Sequence, residues 1–182
     1  RTTLMTTEAS SVFAALSEIV GEDWVKTDPA DLQTYGTDWT NQFTVAPSVI
    51  VLPKTVAEVQ AVVKLANEAP FKLVPSGGRT GLSGGAVATN GEVVLVLDRM
   101  NQILDFNAAD RQVTCEAGVV TEQLQQFADS KGLFYPVDFA SSGSSQLGGN
   151  VATNAGGIKV IRYGMTRSWV TGMKVVTGRG DL

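Results

Sequence analysis

The sequence predicts an α+β domain, and three features predict it. Segments of helical period and short β-rich runs follow the order α-α-β-α-β, a glycine loop, β-β-β-α, a second glycine loop and a last β. That order lacks the steady alternation of a doubly wound sheet. The 182 residues are 43% hydrophobic and 18% charged, with a mean hydropathy of +0.08, so a sizeable core can form and disorder is excluded as the main state. The 19 glycines are concentrated in two stretches. At about 150 residues per domain, the length suits one domain, or one plus part of another.

Each element has its own signal. Thr6 or Thr7 can cap a helix whose residues Phe13, Leu16, Ile19 and Val20 recur at helical spacing, with Gly21 as its stop. Asp28-Pro29 supplies an N-cap followed by proline at the first helical position, opening a short helix to about Tyr35. Residues 36–47 read as loop. Ser48-Val-Ile-Val-Leu52, closed by Pro53, is a strand. Thr55-Val-Ala-Glu58 is a capping box, and Val59, Val62, Val63 and Leu65 carry a helix to about Ala69. Lys72–Val74 and Glu92–Leu97 are strands on either side of the first glycine loop. Gln102–Phe106 and Gln112–Glu116 pair as a hairpin around Asn107-Ala-Ala-Asp110, where Asp105 and Asp110 are ordinary turn residues and not a metal pair. Thr121–Ser130 is a helix with Leu124, Phe127 and Ala128 inward and Gly132 just past its end. The second glycine stretch fills 141–157, and Val170–Thr177 is a final strand. Two heptapeptides, Gly84-Gly-Ala-Val-Ala-Thr-Asn90 and Gly148-Gly-Asn-Val-Ala-Thr-Asn154, share six of seven residues, but their flanks do not match and they are no structural repeat.

Composition narrows the function classes. A formal charge of −4, from 14 basic against 18 acidic residues, with no basic run of five, makes nucleic acid and anionic membrane surfaces poor partners. A single cysteine, Cys115, excludes an internal disulfide framework and fits a reducing, cytoplasmic compartment; mid-strand, it reads as a buried structural thiol. The chain has no histidine, which removes Ser-His-Asp, Cys-His and His-ligated metal chemistry from anything this stretch does alone; neither a catalytic residue nor a metal ligand is expected in it. No run of 18 apolar residues and no signal-peptide pattern occurs. The start at Arg1 and the stop at Gly178-Arg-Gly-Asp-Leu182 give the expectation of an N-terminal part of something longer.

The glycine stretches carry the chemistry. Gly77-Gly-Arg-Thr-Gly-Leu-Ser-Gly-Gly85 holds five glycines in nine residues, framed by two hydrophobic strands. Such a run permits positive φ and removes Cβ atoms, so several amide N–H groups can point at one anion, a pyrophosphate being the natural guest. Arg79 and the Thr80 hydroxyl would add side-chain contacts. A flexible turn is the plainer alternative. Neither G-x-x-x-x-G-K-[ST] nor G-x-G-x-x-G occurs, which disfavours a P-loop and a nicotinamide site. The 141–157 stretch alternates hydroxyls and amides with glycine and has no charged side chain. It suits a neutral, hydrogen-bonding planar ligand, and a loop packed on the sheet suits it equally.

In order and spacing, the chain resembles the FAD-linked oxidases and dehydrogenases of the vanillyl-alcohol oxidase and p-cresol methylhydroxylase type, nearest the D-lactate, glycolate and D-2-hydroxyglutarate dehydrogenase branch. The resemblance runs through Asp28-Pro-Ala-Asp-Leu32, Pro47-Ser-Val-Ile-Val-Leu-Pro53, Pro75-Ser-Gly-Gly-Arg-Thr-Gly-Leu82, Val113-Thr-Cys-Glu-Ala-Gly118, Gly148-Gly-Asn-Val-Ala-Thr-Asn-Ala-Gly-Gly157 and Arg162-Tyr-Gly164. It implies the N-terminal portion of an FAD-binding domain with two α/β subdomains and the FAD between them. It divides the chain into a helical segment over 1–40 and an FAD-binding domain over 41–182 that lacks its C-terminus and the substrate domain. It implies that Pro75, Gly77, Gly78, Arg79, Thr80, Gly81, Leu82 and Gly84 contact the pyrophosphate. On the flavin and ribityl side it places Pro136, Gly143, Ser144, Gly148, Gly149, Asn150, Thr153, Asn154 and Gly156. Branches with covalent flavin often carry histidine after the paired glycines of the first loop; here that position is Arg79, so the FAD should be noncovalent.

The resemblance further implies oxidation of a D-2-hydroxy acid to the 2-oxo acid by hydride transfer to FAD. Substrate ligands, a histidine base and in some members a metal would come from a C-terminal half, so residues 1–182 alone should be inactive. A non-catalytic flavin- or nucleotide-binding module and an FAD-dependent cell-wall precursor reductase are the competing functions; the Gly148–Gly157 match favours the hydroxy-acid branch over the reductase. Tyr135 beside Pro136 reads as core packing before flavin stacking. Arg162 suits the adenine–pyrophosphate side or a surface ion pair.

Overall fold

The computed structural model describes residues 7–69 and 71–182, with side chains from Ser11 onward in the first helix; the cap expected at Thr6 or Thr7 lies outside the described residues and side chains. The chain divides into two units. The first comprises the residues up to Ser76, then 81–96 and 174–182; the second comprises 77–80 and 97–173.

The first unit is built on a sheet whose strands are buried because of what they are made of. It contains α1 (Thr7–Val20), a 3-10 turn at Glu22–Trp24, β1 (Val25–Lys26), α2 (Pro29–Tyr35), β2 (Val49–Val51), α3 (Val56–Glu68), β3 (Leu73–Ser76) and β4 (Val93–Val96). The strand order is β1-β2-β4-β3, with β4 parallel to both β2 and β3 and β1 antiparallel to β2. Val-Ile-Val in β2 and Val-Val-Leu-Val in β4 are continuously apolar, as strands covered on both faces must be, and each of those residues is at most 5% exposed. Ile50, Leu52, Ala88, Val94 and Val96 form one core cluster, against which Leu32, Tyr35 and Val74 pack. α1 contributes Leu16 and α3 contributes Val62, both fully buried.

The caps follow the sequence closely. Asp28 Oδ1 accepts from the Ala30 and Asp31 amides at 2.9 and 3.3 Å, with Pro29 at the first helical position. Thr55 Oγ1 accepts from the Glu58 amide at 3.1 Å, and Glu58 Oε2 reaches back to the Lys54 amide at 2.6 Å, one residue earlier than a standard capping box.

The second unit holds β5 (Ile103–Asn107), β6 (Gln112–Cys115), α4 (Thr121–Ser130), α5 (Leu147–Thr153), α6 (Val160–Tyr163) and a 3-10 turn at Thr166–Trp169. β5 and β6 form the expected antiparallel hairpin, with a bulge at Leu104. Asn107 Oδ1 accepts from the amides of Ala109 and Asp110, and Asp110 accepts from Asn107 Nδ2, so the carboxylates here belong to the turn. Among the described residues no group of three or more His, Cys, Asp or Glu side chains could hold a metal ion. Phe127 of α4 meets Phe106 of β5 edge to face at 5.6 Å, Leu124 is buried, and Gly132 takes φ +69° past the helix end.

Two sequence expectations need correction. The 141–157 stretch contains a helix, α5, despite its paired glycines. Its start is fixed from outside, because residues 145–148 lie against 117–121: the Thr121 amide donates to the Ser145 carbonyl, Leu147 to Val119 and Gly148 to Ala117. Asn154 ends it in the left-handed conformation at φ 49°. Val170–Thr177 is not a strand. β-propensity makes a strand only where a neighbour supplies a ladder, and this segment forms none among the described residues; Met173 and Val175 stand 64% and 52% exposed. No described helix is long and apolar enough to cross a membrane.

These packing differences set stability. Leu16→Ala should cost about 2–5 kcal/mol in urea unfolding, while Leu104→Ala, at a side chain 60% exposed, should stay within about 0.5 kcal/mol.

Candidate functional site

The Pro75–Gly85 loop leaves β3, spends residues 77–80 in the second unit and returns to the first at Gly81. Its conformation differs from the sequence reading in one respect. Positive φ falls on Arg79, at 58°, and among the glycines of the window only on Gly84, at 74°. The left-handed arginine is held locally: its Nη1 donates to the Gly77 carbonyl at 2.8 Å and its Nη2 lies 3.4 Å from Asp98 Oδ2.

In the second unit, Gly77 and Gly78 lie against the 141–157 stretch. A Cβ at Gly78 would fall 2.1 Å from the Ser144 carbonyl oxygen, so this glycine is required by close backbone approach and not by φ. A Cβ at Gly77 would sit 3.3 Å from Gln146 Oε1 and 4.0 Å from the Gly149 amide nitrogen. Gly148 is likewise fixed by contact, at 2.8 Å from the Ala117 Cβ. The ends of the stretch are clasped. Lys159 Nζ meets Asp138 Oδ2 at 2.9 Å, and the Asp138 carbonyl occupies the space a Gly157 side chain would need. The Lys159 ammonium beside Asp138 holds its carboxyl below the usual range.

In the first unit, the loop is anchored by Asp38, which sequence reasoning missed. Its carboxylate accepts from the Gly84 amide at 2.9 Å and from the Thr40 amide and hydroxyl at 2.9 and 2.6 Å. Burial alone would raise its pKa; the bonds from Thr40 and Gly84 outweigh that and hold it below the ordinary value. A signal existed: Asp38-x-Thr40 is an Asx-turn pattern, but nothing local reveals that its second oxygen reaches residue 84. Gly84 also packs on Phe43, whose ring lies 2.7 Å from where its Cβ would be.

The side chains expected at the site divide into engaged and open groups. Asn150 is buried and donates to Thr121 Oγ1 at 2.7 Å, in a network with Ser145 Oγ. Thr153 Oγ1 donates to the Gly149 carbonyl. Asn154 accepts from the Arg167 amide and contacts Met165 Sδ. Pro136 is buried, Gly156 lies against Met165 and Val160, and Gly143 and Ser144 are exposed. Pro75 pairs with Leu95 in the sheet, Thr80 is half-buried, and Leu82 stands 71% exposed. Asn150, Thr153 and Asn154 thus each make at least one side-chain hydrogen bond within the protein.

Outside these stretches, Tyr135 packs edge to face on Trp169, and burial pushes its phenol up to about 12. Burial likewise pushes the half-buried Cys115 thiol to about 11, which keeps it protonated and unreactive at neutral pH. Arg162 lies over the Tyr163 ring at 5.2 Å and forms neither of the two ion pairs found among the described residues.

Five glycines, Gly81, Gly85, Gly149, Gly172 and Gly178, are required neither by φ nor by a neighbour, and three of them, Gly81, Gly85 and Gly149, lie in the two glycine stretches. Gly81 and Gly149 have neither positive φ nor any atom within 4 Å of where a Cβ would stand. Each leaves bare backbone that a closely approaching group could use, and in the second unit the buried Gln146 Oε1 has no hydrogen-bond partner among the described residues. Within the second unit, the bare backbone at Gly149 and the unmatched Gln146 Oε1 suit a hydrogen-bonding ligand such as a dinucleotide cofactor.

The fold and these stretches define a nucleotide-cofactor-binding α+β domain. The FAD binding domain family matches residues 47–182, and the chain belongs to that family; FAD is its cofactor. The chain is 65% identical over 167 residues, 92% of its length, to a D-2-hydroxyglutarate dehydrogenase of Stutzerimonas stutzeri, covering 36% of that protein. It is 39% identical to the mitochondrial D-2-hydroxyglutarate dehydrogenase of Arabidopsis thaliana, over 91% of this chain and 30% of that one. Among solved structures, p-cresol methylhydroxylase with substrate bound superposes with a TM-score of 0.82 at 26% identity, covering 98% of this chain and 35% of that one. The chain thus spans about a third of the length of the relatives it matches.

Asp38→Asn should cost about 1–3 kcal/mol at neutral pH, because the half-buried Thr40 and Gly84 donors lose a charged, buried acceptor. Since the folded pKa of Asp38 is depressed, its contribution is present above the unfolded value near 4 and is lost as pH falls through the folded one. Denaturation curves between neutral pH and acid should therefore show a flatter acid limb in the variant.

Proposed function

We propose that the full-length protein is an FAD-dependent dehydrogenase that oxidises a D-2-hydroxy acid to the 2-oxo acid, with D-2-hydroxyglutarate the first candidate substrate. One observation carries this reading: 65% identity, across 92% of the chain, to a relative of that name. Bound FAD supplies a two-electron acceptor. The work of this chain's own residues is to bind and orient it. Amides of the Gly77–Gly85 loop hold the pyrophosphate, and the 141–157 stretch lies along the flavin and ribityl chain. Gly81 and Gly149 are glycine because the cofactor comes too close for a side chain. The reading keeps the FAD noncovalent, since Arg79 occupies the position where an attaching histidine would be needed. The chain has no histidine to take the substrate proton, so the base and the substrate-carboxylate ligands belong to the remaining two-thirds of the protein. A cytoplasmic location fits the lone cysteine.

Gly149→Ala separates the cofactor role from the fold. Within α5 the substitution should stabilise the protein by up to about 1 kcal/mol on propensity, yet weaken FAD binding, read by flavin fluorescence; Gly81→Ala should do the same with no gain in stability. Unchanged FAD affinity in both would remove these positions from the cofactor site. By contrast, Gly78→Ala should damage folding itself.

Acid precipitation of the flavin-loaded protein should leave yellow FAD in the supernatant; flavin that stays with the polypeptide overturns the noncovalent reading. The full-length protein should reduce a redox dye with D-2-hydroxyglutarate, D-lactate or glycolate, and residues 1–182 alone with none. Turnover by the 182 residues would place catalysis in this chain.

A further inference from the structure

We propose that Gln146 is a contact residue for the cofactor, oriented by Asp98, and that it meets a hydroxyl or N–H donor of the dinucleotide and not its phosphates. The inference rests on the FAD reading above and deepens it. Asp98 supplies the constraint. A carboxylate only accepts hydrogen bonds, and its Oδ1 lies 2.7 Å from Gln146 Nε2 while its Oδ2 lies 3.4 Å from Arg79 Nη2. The Gln146 amide therefore cannot be reversed, because an amide oxygen at that distance would face a carboxylate oxygen with no proton between them. Its Oε1 is directed instead toward Gly77, 3.3 Å from the space a Cβ there would take, and that space is 4.0 Å from the Gly149 amide nitrogen.

Gln146 is 7% exposed, and its Oε1 is buried without a hydrogen-bond partner among the described residues. Buried acceptors are almost always matched, so an unmatched one held rigidly marks a place where a donor arrives. The protein has put glycine at 77 and 149, where a donor side chain could have stood. A phosphate oxygen is itself an acceptor and would repel Oε1. The matching group must be a ribityl or ribose hydroxyl, the flavin N–H or the adenine amine. Asp98 is accordingly a positioning residue: through its two oxygens it ties Arg79 of the first glycine stretch to Gln146 of the second.

The test uses the full-length apoprotein, titrated with FAD and separately with ADP. Gln146→Met keeps the side chain's length and removes the acceptor. It should raise the FAD dissociation constant at least about tenfold, or about 1.4 kcal/mol, in an apoprotein that still folds, with some loss of melting temperature because the donor to Asp98 Oδ1 goes with it. Loss confined to FAD puts the donor on the flavin–ribityl half; a matching loss for ADP puts it on the adenosine half. Asp98→Asn, nearly identical in shape, lets residue 98 donate to Oε1 and should weaken FAD in the same direction by a smaller factor. FAD affinity within about twofold of the parent in folded Gln146→Met overturns the proposal and leaves a buried water as the partner. If that variant does not fold, the same result in Asp98→Asn overturns it. A parent protein that takes up no FAD sinks the cofactor reading itself, which is a separate outcome.

Discussion

The Ser144 carbonyl oxygen lies 2.1 Å from the point where residue 78 would carry a Cβ, so the second unit can close only if that residue is glycine. The other features of its glycine stretches follow from this backbone contact. It brings Gly77 against Gln146, and Gln146 against Asp98, and Asp98 meets the arginine that sits in a left-handed conformation two residues after Gly77. The antiparallel run of 145–148 against 117–121 holds the far side of the same contact and launches α5. A bulkier residue at 78 would break this arrangement, since neither carbonyl nor helix start is free to retreat.

Glycine serves two purposes here, and the structure separates them. Gly78, Gly84 and Gly148 are demanded by neighbours or by φ, and substituting them disturbs the protein whether or not a ligand is present. Gly81 and Gly149 are demanded by nothing in the protein, and for Gly149 the helix would prefer alanine. Gly85, Gly172 and Gly178 are open in the same way, so openness alone does not mark a binding surface. The polar side chains of the second stretch show the complementary behaviour. Asn150 and Asn154, expected from the sequence to face a ligand, also bond within the protein, to Thr121 and to the Arg167 amide.

The sheet and most helices were legible because their signals are local. Val-Ile-Val and Val-Val-Leu-Val announce buried strands, and Asp28-Pro29 and Thr55 announce helix starts. The hairpin followed from its turn residues. The family was legible from ordered motifs. What was not legible depends on partners distant in sequence. The Gly-Gly-Asn-Val run became a helix because residues 117–121 fix its first turn. Val170–Thr177 failed to become a strand because no neighbour offers a ladder. Asp38 and Asp98 gave no sign of the loops they hold, 46 and 48 residues away.

The last residues of the chain belong to the first unit. Gln60 and Asn67, both on α3, donate their side-chain amides to the carbonyls of Gly180 and Gly178, across 120 and 111 residues of sequence. During synthesis at about 5–20 residues per second, α3 leaves the ribosome on the order of ten seconds before its partners exist. For that interval, this flank of the helix is open to whatever else is present.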